Sequence, residues 1–163
     1  LLVSCGGGSG PDTVGLVEED TMQLTSVFED QEPIPTRYSC DGEGISPPVQ
    51  IAGIPEETVT LALIVDDPDA PAGTFDHWVA FDIPPTGEIP ADVGDLGVAG
   101  RNSSRRLGYT PPCPPSGTHR YIFRVYALDS EVHTPAGADR RSVLKGVQGH
   151  VLDQGELVGT YER

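Results

Sequence analysis

Three short polar clusters in this chain carry residue types that could do chemistry. All three stand at the ends of segments that read as strands, the usual place for binding residues. The first is Asp66-Asp67-Pro68-Asp69-Ala70-Pro71. Three carboxylates within four residues repel one another, so a cation, a set of hydrogen bonds or a raised pKa must accommodate at least one of them. Pro68 and Pro71 restrict φ and would hold a carboxylate in place before any ligand arrives. An acidic Asx-type turn without a ligand is the plainer alternative. The second cluster is Asp76-His77-Trp78. His77 can be neutral or charged near pH 7, although a lone histidine leading a strand also serves purely structural ends. The third runs Cys113-Pro114-Pro115-Ser116-Gly117-Thr118-His119-Arg120-Tyr121. Its stiff Pro loop opens at Gly117 and delivers His119 and Tyr121 to one face of a strand, with Arg120 on the other. An imidazole and a phenol projecting together suit an oxyanion such as phosphate, which accepts hydrogen bonds from both. Acidic neighbours would keep His77 and His119 protonated, making the pocket locally cationic.

Strands must hold these clusters in place. Met22, Leu24, Ser26 and Phe28 alternate with polar residues, as in a half-buried strand. Thr36 to Pro48 is turn-rich, and Val49–Ile51 follows as a short strand. Thr58–Val65 is β-branched and apolar almost throughout, the pattern of a central strand, and it ends where Asp66–Pro71 begins. His77–Ile83 is a second buried strand stopped by Pro84-Pro85. Glu88 to Arg106 reads as loop with one short extended piece. Tyr121–Leu128 alternates again, with Tyr121, Phe123, Val125 and Ala127 on one face. A period of 3.6 residues appears only across Asp139–Leu152, where Val143, Leu144, Val147, Val151 and Leu152 make a stripe behind Asp139 as N-cap. Leu157–Tyr161 is the last strand. Together with 20 Gly and 16 Pro in 163 residues, this pattern predicts a mainly β, antiparallel-rich domain with one helix near the C-terminus.

Ten basic residues against 25 acidic ones give a net charge of −15, which repels phosphate backbones and excludes nucleic acid as a general partner. The imbalance is uneven, because Arg37 is the single basic residue among the first hundred. Arg101, Arg105 and Arg106 form a small basic group that would either face an anion or enter surface ion pairs. No stretch approaches the ~20 apolar residues of a membrane-spanning helix.

Leu2-Val3-Ser4-Cys5 resembles a bacterial lipobox, whose Cys becomes the lipidated first residue of the mature protein; an ordinary thiol at Cys5 is the alternative. The Gly/Ser run after it and the acids up to Asp20 read as a flexible linker. Residues 1–21 are therefore expected to be a signal remnant with a tether, and residues 22–163 the domain. That organisation implies export and membrane attachment through Cys5, on the periplasmic face or the cell surface, with Gly6 after Cys5 favouring an outer membrane. Export permits disulfides, and setting Cys5 aside leaves Cys40 and Cys113 as a pair. Their bridge would contribute about 3–4 kcal/mol by closing a long loop; two buried free thiols are the alternative.

The ordered set of motifs resembles the phosphatidylethanolamine-binding protein family. Asp67-Pro68-Asp69-Ala70-Pro71, His77 opening a hydrophobic strand, and Pro114-Pro115-Ser116-Gly117-Thr118-His119-Arg120-Tyr121 carry the likeness. Cys40-Asp41-Gly42 with Ser46-Pro47-Pro48, and Gly149-His150-Val151-Leu152 with Leu157–Tyr161, resemble its bacterial, Raf-kinase-inhibitor-like (YbhB/YbcL-type) branch. The resemblance implies two packed antiparallel sheets with a small anion pocket at one end. It implies Asp67, Asp69, His77, His119 and Tyr121 as ligand-binding residues, with Pro68, Pro71, Pro115 and Gly117 shaping the walls. It implies neither a catalytic residue nor a metal or other cofactor. One departure stands out: Tyr109 is followed by Thr110-Pro111 where the family often has Gly-Gly, which stiffens the rim.

The leading expectation is a non-enzymatic protein that holds a small anion or phospholipid head group. The alternative is an interaction module that inhibits a protease or kinase through rim segments Arg101–Arg106 and Thr110–Pro115. A hydrolase using His77 or His119 as general base with Asp67 is the third reading, and the chain lacks both Gly-x-Ser-x-Gly and His-Glu-x-x-His to support it.

Overall fold

Strand β3 (Thr60–Asp67) organises the domain, because all eight of its side chains are buried. Such a strand needs cover on both faces, which is why its sequence shows a continuous apolar run instead of alternation. The structure is a computed structural model that describes residues 21–163. The lipobox with Cys5 and the linker expected over 1–21 lie outside the described residues, apart from Thr21. β4 (Phe75–Ile83) and β7 (Thr118–Leu128) flank β3 antiparallel on either side. β6 (Val98–Ala99) and β8 (Val151–Glu162) complete a five-stranded sheet in the order β6-β4-β3-β7-β8. A second sheet holds three strands, β1 (Gln23–Thr25), β2 (Val49–Ala52) and β5 (Glu88–Ile89), in the order β1-β2-β5.

The two sheets pack through the larger core. Leu24, Val49, Ile51 and Ile89 of the small sheet join Leu63 and Val65 of β3 and Phe123 and Val125 of β7. The expected apolar face of β7, Tyr121 with Phe123, Val125 and Ala127, is the face buried there. The opposite face of the large sheet is covered by α1 (Arg140–Val147), whose Val143 and Val147 pack on Ala62, Val79 and Phe81. Asp139 caps α1 as predicted, its side chain accepting from Ser142 N at 2.9 Å.

The structure corrects several bounds: β3 begins at Thr60, β4 at Phe75 and β7 at Thr118, and four further differences have identifiable causes. β3 runs on through Asp66 and Asp67, because these residues pair with Asp76 and Phe75 of β4 and do not form the turn. The helix stops at Val147. Gly149 takes φ +80°, and Val151 then pairs with Leu128, so Val151 and Leu152 belong to β8, half-exposed. Their spacing matched the helical stripe by coincidence; the eleven-residue ladder offered by β7 wins. β1 is shorter than the alternation from Met22 to Phe28, because the chain leaves the small sheet to run beside β8, with Gln31 N donating to Val158 O and Ile34 N to Thr160 O. The Glu88–Arg106 segment holds two extended pieces, β5 and β6, one in each sheet.

Cys40 and Cys113 form the expected disulfide, with Cα atoms 5.4 Å apart, and Cys40 N donates to Pro112 O alongside it. The bond ties the turn-rich 36–48 segment to the Pro loop that leads into β7. Replacing both cysteines by alanine is expected to lower unfolding free energy by about 3–4 kcal/mol. Urea titration of the oxidised protein against the double variant measures it.

Candidate functional site

The three polar clusters come together because β4, β3 and β7 are neighbours and their relevant ends lie at the same edge. Asp67 closes β3, His77 lies near the start of β4, and His119 and Tyr121 open β7. All four side chains are at least nine-tenths buried, and all four line one cavity of about 300 Å³. Pro71, Pro115, Phe75 and Pro114 give it apolar walls, and Ser104 and Thr110 also line it.

Strand alternation resolves the repulsion of the acidic cluster by sending its carboxylates to different places. Asp66 turns to the far face of the sheet, where Arg124 lies at 2.7 Å and Arg140 at 3.2 Å. Asp67 enters the cavity, accepts from His119 Nδ1 at 2.7 Å and caps the following turn by accepting from Asp69 N at 2.8 Å. Asp69 faces outward and grips Arg120 with both oxygens. That bidentate bond holds its carboxyl down at about pKa 2. Of the residues expected at the site, Asp67, Pro71, His77, Pro115, His119 and Tyr121 line the cavity. Pro68, Asp69 and Gly117 are outside its lining. Asp69 and Arg120 clamp the Asp-Pro turn to β7, and Gly117, at φ +72°, reverses the chain into β7 while pairing with Arg163.

The two histidines are set up differently. His119 gives its Nδ1 hydrogen to the Asp67 carboxylate, which leaves Nε2 free. His77 gives its Nδ1 hydrogen to the Thr110 carbonyl at 2.7 Å. Burial pushes the His77 pKa below its ordinary 6.5, against the raising influence of the Thr110 carbonyl, Asp67 and Asp66, with His119 adding to the lowering. The expectation of two histidines held protonated by acidic neighbours is therefore corrected for His77: its partner is a neutral carbonyl, and desolvation wins. The His77 ring stands edge-on to Tyr121 at 5.1 Å and packs on Phe75 at 4.8 Å.

Tyr121 completes the cavity. Its hydroxyl is buried and has no hydrogen-bond partner among the described residues. Burial, with Asp67 and Asp69 nearby, raises its pKa above the ordinary 10, the Cys113 backbone weakly opposing this. The phenol is thus a neutral donor aimed into a cavity that also carries two unspent imidazole nitrogens. Neither imidazole hydrogen-bonds a hydroxyl or thiol among the described residues; their Nδ1 partners are the Asp67 carboxylate and the Thr110 carbonyl. No group of three or more His, Cys, Asp or Glu arranged to hold a metal occurs among them either.

Sequence reasoning missed Asn102. This buried side chain donates to Gly108 O and Thr110 Oγ1 and accepts from Arg106 N, locking the loop that presents Thr110 to His77. It also missed Phe75 and Ser104, whose types carry no signal of their own.

With this geometry in hand, comparison with known proteins adds a family. Residues 24–162 match the model of the phosphatidylethanolamine-binding protein family. A UPF0098 protein of Methanothermobacter thermautotrophicus is 51% identical over 146 residues, covering 85% of this chain and 97% of the relative. One from Pyrococcus horikoshii is 46% identical over 156 residues, covering 90% and 79%. The crystal structure of the phosphatidylethanolamine-binding protein homologue CT736 from Chlamydia trachomatis superposes with a TM-score of 0.85 at 40% identity, covering 88% of this chain and 99% of that one. That of Escherichia coli YbcL, described as a new member of the mammalian family, gives 0.78 at 30% identity, covering 87% and 98%.

The hydrogen-bond accounting separates two buried side chains. Asn102→Ala is expected to destabilise the protein by about 2–3 kcal/mol, because it strands several buried backbone and side-chain groups. Tyr121→Phe should change stability by less than about 1 kcal/mol, since its hydroxyl makes no hydrogen bond among the described residues. Chemical denaturation of both variants is the check.

Proposed function

The chain belongs to the phosphatidylethanolamine-binding protein family, and from that premise we propose that it is a non-enzymatic binding protein whose cavity holds a small oxyanion of the phosphate or phosphoethanolamine type. The observation that carries this reading is the unpartnered buried hydroxyl of Tyr121, set among the free Nε2 atoms of His77 and His119. A buried hydroxyl left unpaired costs on the order of 1–3 kcal/mol, and an anionic oxygen in the cavity would recover it. His119, backed by Asp67, supplies a ring that can donate from Nε2 while its Nδ1 hydrogen stays on the carboxylate. His77 begins neutral and becomes a donor when the anion draws a proton onto it. The apolar walls exclude competing water and strengthen each of these bonds.

The lipobox-like Leu2-Val3-Ser4-Cys5 supports a lipid anchor on Cys5 and an exported location. The Cys40–Cys113 bond is in keeping with an oxidising compartment.

Calorimetric titration with inorganic phosphate and with phosphoethanolamine tests the pocket. His119→Ala and Tyr121→Phe should each weaken binding at least about tenfold, roughly 1.4 kcal/mol or more, as expected for loss of a charge-assisted bond. Unchanged affinity in His119→Ala would sink the reading. Because the His77 pKa is lowered in the free protein and an anion favours its protonated form, binding takes up a proton near neutral pH. Affinity should therefore rise as pH falls through the region just below 6.5, and His77→Gln should flatten that dependence.

A further inference from the structure

The cations of this acidic chain divide into two groups. Arg37, Arg120, Arg124, Arg140 and Arg163 each pair with a carboxylate. Arg101, Arg105, Arg106, Arg141 and Lys145 are exposed and join no ion pair among the described residues. This decides the question left open for the Arg101–Arg106 group against surface ion pairs.

Three of these charges lie on one hairpin, and the other two lie on α1, against whose start the hairpin is seated. Residues 101–107 form a small hairpin. Arg101 and Leu107 bridge antiparallel, Asn102 N donates to Arg106 O, and Arg105 turns the tip at φ +63°. Arg101 N donates to Ala138 O, and Arg101 bridges to Asp139, which seats the hairpin against the start of α1. Arg141 and Lys145 lie along α1 beside an open groove that also includes Asp76, and Ser103 Oγ accepts from Asp76 N. Of the carboxylates on this surface, Asp139 caps α1, and Asp76 is mostly buried, with Arg140 Nε at 3.7 Å. The hairpin also carries Leu107, the most exposed large hydrophobic side chain among the described residues at 59%. Leu107 Cδ2 and Arg101 Nη2 both lie 3.9 Å from the position a Cβ on Gly137 would take, so the leucine and that guanidinium flank the same glycine. Ser104, next to the tip, is in the wall of the cavity.

We propose that the 101–107 hairpin, with Arg141 and Lys145 behind it, seats the domain on an anionic lipid surface. Unpaired guanidinium groups around one protruding leucine match an interfacial element: the charges meet lipid phosphates, and the leucine enters the headgroup region. An acidic protein would satisfy the charges, but the solvated Leu107 is left without an apolar counterpart in that case. The strongly acidic remainder of the chain is repelled by the same surface, so only this face can approach it. Ser104 joins the hairpin to the cavity, so docking brings the cavity beside the headgroups. The proposal concerns a surface outside the cavity and stands or falls apart from the pocket reading.

Vesicle co-sedimentation with the full chain carrying Cys5→Ser, so that no acyl chain is attached, tests it. Phosphatidylcholine vesicles with phosphatidylglycerol should bind the protein, and vesicles of phosphatidylcholine alone should not. Each exposed cation near an anionic surface is worth about fivefold in partitioning. The triple variant Arg101→Gln/Arg105→Gln/Arg106→Gln should therefore lose about a hundredfold while melting like the parent, because these guanidinium groups make no hydrogen bond or ion pair among the described residues. Leu107→Trp emission should shift to the blue with the anionic vesicles alone. Equal binding to both vesicle types, or to neither, overturns the proposal, as does a triple variant that sediments like the parent. Capture by poly-glutamate without vesicle binding assigns the face to an acidic polymer and also overturns it. His119→Ala separates the two readings: vesicle binding lost in that variant but kept in the triple variant would place the attraction in the pocket.

Discussion

A carboxylate buried without a partner costs several kcal/mol, and Asp67 is a carboxylate buried at the end of the central strand. Its two oxygens have different duties. One accepts from His119 and the other from the backbone of Asp69. The first bond sets the orientation of the imidazole; the second sets the turn that sends the Asp69 side chain outward to Arg120. Removing Asp67 would release the ring, the turn and the clamp together. The pair joins residues 52 positions apart in sequence, so the site cannot form before β3 and β7 are in register. Fold and pocket are thus one cooperative event at this end of the sheet.

Against this rigid side stands a second wall made of loops. Asn102 holds Thr110, Thr110 holds His77, and the disulfide at Cys113 fixes the Pro loop to a separate segment. Thr110 also donates its backbone N–H to the His77 carbonyl, so strand β4 and the rim are bonded in both directions. A Gly-Gly pair would leave this stretch free to adapt; Thr110-Pro111 spends that freedom in advance. The consequence is a pocket preorganised on every side. Such a pocket gives little room for induced fit.

Much of this was legible in the sequence, for identifiable reasons. β3 announced itself because burial on both faces demands uninterrupted apolar residues. His119 and Tyr121 could be placed on one face because strand periodicity is 2. The Cys40–Cys113 pair could be read from parity once Cys5 was set aside. What could not be read depends on tertiary partners. Asp66, Asp67 and Asp69 look equivalent in sequence, and only the arrival of Arg124, Arg140, His119 and Arg120 distinguishes them. His77 looks like a residue beside acids, yet its ring bonds a carbonyl that a loop thirty-three positions later delivers. Val151 fits a helical stripe by spacing, but β7 offered it a ladder. Asn102 carries no motif at all; its importance is a matter of which backbone groups the hairpin leaves without partners.

The distribution of charge follows the same logic of partners. In a chain of net charge −15, an arginine has many carboxylates to choose from, and a guanidinium that finds none has been kept apart from them. Here the separation is already present along the chain, since nine of the ten basic residues follow residue 100. Folding sharpens it. The paired cations neutralise buried or turn-forming acids such as Asp66 and Asp69, and the unpaired ones gather on the 101–107 hairpin and α1. Exposed ion pairs contribute little to stability, so leaving these five unpaired sacrifices almost nothing in the fold. What it creates is an uneven charge distribution, with the unpaired cations on the hairpin whose Ser104 lines the cavity and on α1 beside it. Charge separated in this way gives the molecule distinct faces, and a charged partner would meet them differently.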